Sequence, residues 1–172
     1  MIAGLRAAAP AAAVALIAGC AALPPPEPVL LAGRIAVRVD SQPPRSFSAD
    51  FELRGDARAG SLRLAGPLGT TAADARWSPT GAWLDTADGR TAYPGTDELT
   101  AAALGEHIPL AALFDWLRGR PWPDAPSADT ADPVGFEQLG WRVDLSRRDQ
   151  GLIEARRAAP PAVTVRAKVE PS

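Results

Sequence analysis

One thiol, one imidazole and a scatter of carboxylates are the reactive groups of greatest interest in this chain, and their placement limits its chemistry. Cys20 is the only cysteine, so neither an internal disulfide framework nor a cysteine zinc cage can be built. His107 is the only histidine, which excludes histidine-cluster metal sites and any two-histidine mechanism. It precedes Ile108-Pro109 at an expected helix entry and reads as a surface or capping residue. Asp50 and Glu52 lie two apart on one expected strand face. Such a pair could serve a glycosidase as acid and base, but carboxylates that alternate with apolar strand residues read as a solvated face. No Gly-x-Ser-x-Gly elbow, phosphate loop or His-Glu-x-x-His pair occurs. The chain is read as non-enzymatic, with no catalytic residue, cofactor or metal.

The position of Cys20 carries more information than its chemistry. Residues 1–6 are short with one positive charge, and residues 7–18 are small or aliphatic. That is a signal-peptide pattern, too short for a spanning helix and interrupted by Pro10. It closes in Ile17-Ala18-Gly19-Cys20, which resembles the lipobox of bacterial lipoproteins; a plain secretory signal with a chance cysteine is the other reading. The resemblance implies cleavage after residue 19 and acylation of Cys20 on its thiol and its new amino group. One acyl chain anchors only marginally, at about 0.8 kcal/mol per buried methylene, whereas several hold firmly. Ala21, where inner-membrane lipoproteins often carry Asp, points to the periplasmic side of the outer membrane.

The organisation expected is a signal peptide over 1–19, the lipidated Cys20 with a Pro-rich tether over 20–32, and one domain over 33–170. Pro24-Pro25-Pro26 and Pro28 favour extended backbone. From Gly33 the apolar period is two: Ile35, Val37 and Val39, then Phe47, Ala49, Phe51 and Leu53. Leu62 and Leu64, then Ala73, Ala75 and Trp77, continue it. Residues 82–86 and 91–93 form a hairpin around Asp88-Gly89. The period changes at Thr96, which can cap a short helix, with Asp97 and Glu98 suited to its dipole. Pro109 opens a second helix with a stripe of Leu110, Leu113, Phe114 and Leu117, stopped by Gly119. Residues 120–133, rich in Pro and Asp, are expected to be an irregular loop. Strands resume at 141–145, 152–156 and 163–169.

Many short strands with one helical insertion predict a mainly β chain: a curved antiparallel sheet or barrel with helices on its concave side. The stripe is either packed core or a lid over an apolar cavity lined with Phe47, Phe51, Trp77 and Trp116. The Gly66-Pro67-Leu68-Gly69 turn sets a lone leucine where polar residues are usual. The net charge of −2, from 18 basic and 20 acidic residues, argues against nucleic acid as a partner.

Several segments, taken in order, resemble the LolB family over most of residues 33–170. They are the lipobox, Gly33-Arg34-Ile35-Ala36-Val37, Pro67-Leu68-Gly69, Ile108-Pro109-Leu110, Trp116-Leu117-Arg118-Gly119, Gly140-Trp141-Arg142-Val143 and the closing strand from Val163 to Glu170. The resemblance implies an unclosed antiparallel β-barrel of the LolA/LolB half-barrel kind with a small helical lid over a cavity for acyl chains. It implies an outer-membrane receptor that accepts lipoproteins from the periplasmic carrier LolA and acts as a monomer without a cofactor. Pro67, Leu68 and Gly69 match the turn whose leucine helps to insert cargo into membrane lipid. Phe47, Phe51, Trp77, Leu110, Leu113, Phe114, Trp116 and Leu117 fall in cavity and lid. A helix that relatives carry before the first strand is replaced here by the Pro-rich tether. The rival reading is a lipid-anchored structural or envelope-assembly protein with a packed core and no acyl-chain binding.

Overall fold

The computed structural model describes residues 29–104 and 106–171. The signal peptide, Cys20 and the tether up to residue 28 lie outside the described residues.

Eleven strands form one antiparallel sheet. They are β1 (Val29–Val39), β2 (Arg45–Gly55), β3 (Gly60–Ala65), β4 (Thr71–Ser78), β5 (Gly81–Thr86), β6 (Gly89–Tyr93), β7 (Ser127–Ala131), β8 (Val134–Gln138), β9 (Trp141–Asp144), β10 (Leu152–Arg157) and β11 (Val163–Val169). Their order is β6-β5-β4-β3-β2-β1-β11-β10-β9-β8-β7, so the first strand pairs with the last and the two ends of the sheet stay unpaired with each other. The result is a mainly β, unclosed half-barrel with a small helical part. Strands β6 and β7 are its edges. Both are five residues long and largely exposed, with small and polar side chains, the composition that blunts edge-to-edge aggregation.

The period-two pattern sets which face is buried. Ile35, Val37 and Val39 of β1 pack inward with Phe51 and Leu53 of β2 and Val163, Val165 and Ala167 of β11. Between them Arg34, Arg38, Asp50, Arg166 and Lys168 face solvent, and several of these charges pair on that face, as in Arg166 to Glu154 at 2.6 Å and Arg34 to Asp50 at 3.8 Å. Gly33 is a case where only glycine fits. Its φ is +153°, and a Cβ there would stand 2.0 Å from the Lys168 carbonyl oxygen across the strand pair.

Two boundaries differ from the sequence reading. Val29, Leu31 and Ala32, assigned above to the tether, already pair with β2, so the sheet includes this segment. Residues 127–131, assigned to an irregular loop, form the edge strand β7 in register with β8, from Ser127 opposite Gln138 to Ala131 opposite Val134. Ser-Ala-Asp-Thr-Ala has no apolar alternation because it has no buried face to fill. The helices sit where the change of period predicts: α1 (Thr96–Leu104) and α2 (Leu110–Trp116), both in the connection from β6 to β7.

Because neighbours run antiparallel, the hairpin turns alternate between the two ends of the sheet. The chain enters β1 at one end. The β3–β4 and β8–β9 turns lie at the other, the far end, where Val39 pairs with Arg45 and with Val163.

Candidate functional site

Two features stand out: an apolar tip on the far end and a helix on the concave side. The tip is the turn between β3 and β4. Gly66 donates its N–H to the Thr70 carbonyl, and Gly69 donates to the Gly66 carbonyl, both at 2.9 Å. Gly69 adopts φ +73°, which a side chain would disfavour. The backbone of the turn is thus internally bonded, and Leu68 stands 91% exposed at its summit. Burying one leucine is worth about 1.5–3 kcal/mol.

Helix α2 packs against the concave face. Leu110, Leu113, Phe114, Trp116 and Leu117 all lie in the hydrophobic core together with Phe51 and Trp77. The Phe114 ring meets Trp77 edge-on, with centroids 5.6 Å apart. Trp116 is tilted against Trp141 at 5.8 Å. Phe47 is half-buried at the margin of the cluster. The structure therefore brings all eight of the apolar residues singled out above to one side of the sheet. The sequence showed a stripe, but burial goes nearly all round: Ala112 and Asp115 are buried too. Asp115 is neutralised by Arg120 at 2.7 Å. Helix α2 is closer to a plug than to a lid.

Two openings lead toward this cluster. At the chain-entry end a groove of about 960 Å³ is lined by Leu31, Leu117, Val134, Leu145, Ile153 and Val169, among others. At the far end a groove of about 470 Å³ runs between Val37, Val39 and Phe47 and the end of α1 at Ala103 and Leu104. Leu117 and Phe47 thus border openings, whereas Phe51, Trp77, Phe114 and Trp116 lie deeper in the cluster.

Sequence reasoning missed Gln138, which holds this arrangement in place. It is buried on β8, and its carboxamide makes four hydrogen bonds. The oxygen accepts from the Trp116 indole N–H at 2.8 Å and the Trp122 backbone N–H at 2.9 Å. The nitrogen donates to the carbonyls of Trp122 and Ala125, both at 2.8 Å. Only its alternation with Phe136 along β8 could have flagged it as inward-facing. Gln138→Leu leaves these partners unpaired and is expected to cost about 1–3 kcal/mol in stability, read as a lower urea midpoint.

Among the described residues no group of three or more His, Cys, Asp or Glu is placed to hold a metal ion. His107 is exposed, and its carbonyl accepts from Arg157. Asp50 and Glu52 are taken up by the neighbouring Arg34 and Arg54. At the chain-entry end Asp56 closes the β2–β3 turn. The backbone N–H groups of Ala59 and Arg58 bond its carboxylate and hold its pKa below the ordinary range, while its carbonyl accepts from the Trp77 indole.

The profile of the family described as "Outer membrane lipoprotein LolB" matches residues 29–169, the whole of the sheet. The chain belongs to the LolB family. Relatives named outer-membrane lipoprotein LolB agree. The one from Bordetella petrii is 36% identical over 163 residues, covering 85% of this chain and 82% of the relative. That from Bordetella pertussis is 35% identical over 150 residues, covering 79% and 75%. The half-barrel and its helical insertion are therefore those of an outer-membrane lipoprotein of the LolB family. The family match starts at the residue where β1 starts, four residues before the boundary read from the sequence.

Proposed function

We propose that this chain is the outer-membrane receptor that accepts lipoproteins from the periplasmic carrier LolA and inserts them into the outer membrane, with no bond made or broken. The observation that carries the reading is Leu68: an apolar side chain on a rigid turn, held out from a half-barrel whose concave side is apolar. Acyl chains pass from the carrier to the concave side and then into lipid. Methylene burial nearly cancels at each transfer, so a small difference in affinity sets the direction. No cofactor is needed, and the receptor works as a monomer on the periplasmic face.

Uptake requires room. Helix α2 is part of the core on the concave side, so a bound acyl chain replaces packing such as that of Phe114 on Trp77. Only the stretch from residue 94 to 126 has to move for this, since the sheet is held by its own backbone ladders. The burial of α2 is also what a packed-core assembly protein would have, and the two readings part on binding. A LolA–lipoprotein complex mixed with the purified chain and vesicles should transfer its lipoprotein without added nucleotide or metal. Cargo that stays on LolA would support the packed-core reading instead.

Anchoring rests on Cys20. Cys20→Ala removes the sole acylation site, and the variant is expected in the soluble periplasmic fraction. Its retention with outer membranes after a high-salt wash would show that another element holds the domain there. The soluble variant keeps some transfer activity, because the anchor locates the domain and does not build its concave side.

A further inference from the structure

The β8–β9 turn carries a second leucine that local structure does not call for. Gln138 pairs with Trp141, which leaves a two-residue turn of Leu139 and Gly140. Both have positive φ, +53° and +75°. This is the left-handed hairpin turn in which Asn-Gly, Asp-Gly or Gly-Gly is favoured, and leucine is disfavoured by its bulk. Among the described residues Leu139 is the one non-glycine with positive φ. Packing does not explain the choice, since Leu139 is 47% exposed and the space beside Gly140 is open. The turn lies at the same end of the sheet as Leu68.

We infer that Leu139 is a second apolar tip, which enters the bilayer surface together with Leu68 when cargo is released. The inference rests on the membrane-touching role proposed for Leu68. Its surroundings suit an anionic lipid surface. A groove of about 670 Å³ beside Leu139 is lined by Pro126, Ala128, Trp141 and Ala158, with Arg142 and Arg156 at its wall. Glu137 lies there too and is paired to Arg142 at 2.8 Å. Apolar groups flanked by arginines match the boundary between acyl chains and phosphate headgroups. Two tips on separate hairpins of one rim also orient the half-barrel toward the membrane, which one leucine cannot do.

The test uses the full lipidated chain in vesicles of phosphatidylethanolamine and phosphatidylglycerol. A fluorophore is placed on Leu139→Cys, on Leu68→Cys, or on Thr80→Cys in the β4–β5 turn at the opposite end. Spin-labelled acyl chains should quench the probes at 68 and 139 and spare the one at 80. In parallel, Leu139→Asn suits the turn better, so its melting temperature should equal or exceed that of the parent. Its delivery of cargo into the vesicles should fall about three- to tenfold, as expected for half of a leucine left unburied. Quenching at 68 without quenching at 139 overturns the inference and leaves the role of Leu68 standing. Absence of quenching at both positions overturns both. A Leu139→Asn variant that unfolds assigns Leu139 to packing, and a probe at 139 shielded only by LolA assigns it to carrier docking; either result overturns the inference.

Discussion

Leu68→Glu is expected to lower delivery of lipoprotein into vesicles by about tenfold or more, while acceptance from LolA and the melting temperature stay near the parent values. The magnitude follows from losing about 1.5–3 kcal/mol of leucine burial and placing a charge where an apolar group meets lipid. Stability should hold because Leu68 is 91% exposed and is not a member of the hydrophobic core, and surface substitutions usually change it by less than about 0.5 kcal/mol. Leu68→Phe and Leu68→Trp should retain delivery, which separates apolarity from shape. The assay follows a labelled lipoprotein from carrier to receptor to vesicle. A Leu68→Glu variant stalled at the carrier step would place Leu68 on the docking surface and remove it from the membrane step.

The tip was legible in the sequence because glycine and proline around one leucine leave it no local burial. Leu139 was not, although it too sits in a turn. Its neighbours Gln138 and Trp141 give no hint that the strands stop there, and a Leu-Gly pair is not a usual turn signal. Only the positive φ at Leu139 exposes it. The long strands were readable for a simple reason: with one face on the core and one in water, their side chains alternate. β7 breaks that rule, since its exposed face and its edge position demand nothing apolar. The start of β1 was hidden by composition, as Val29-Leu30-Leu31-Ala32 has no alternation and follows directly on the Pro-rich segment.

Phe114→Ala should destabilise the chain by about 3–5 kcal/mol, a larger loss than Gln138→Leu should cause. Phe114 is 1% exposed, and removing its ring leaves Trp77 facing a void. Urea unfolding measures the loss as a lower midpoint with an unchanged slope. A cost under about 1 kcal/mol would mean that α2 collapses readily onto the sheet, contrary to a tightly packed plug. Phe114→Asp should go further and abolish acyl-chain uptake, because an unpaired charge on an apolar surface costs several kcal/mol; binding is compared at equal folded fraction.

The two faces of α2 show where a hydrophobic stripe misleads. Leu110, Leu113, Phe114 and Leu117 read as one amphipathic edge, which leaves the other side of the helix open to water. In the fold Asp115 is buried against Arg120, and Trp116 turns away from the stripe to reach Gln138 and Trp141. Long-range partners made a polar-looking face dry. Leu117, just past the end of α2, borders an opening, whereas Phe114 and Trp116 are fully buried at the centre that must be displaced.

Acyl chains that occupy the concave side in place of α2 leave a mark that can be mapped. The direct measurement loads the receptor from LolA with a lipoprotein whose acyl chains carry a photoreactive group, irradiates, and maps the adducts by mass spectrometry. Adducts on Phe51 and Trp77, the sheet residues that α2 uncovers, with few on the outward-facing Arg34, Arg38 and Arg166, are the predicted result. Adducts confined to the outer face, on a receptor that still accepts its cargo, would contradict it.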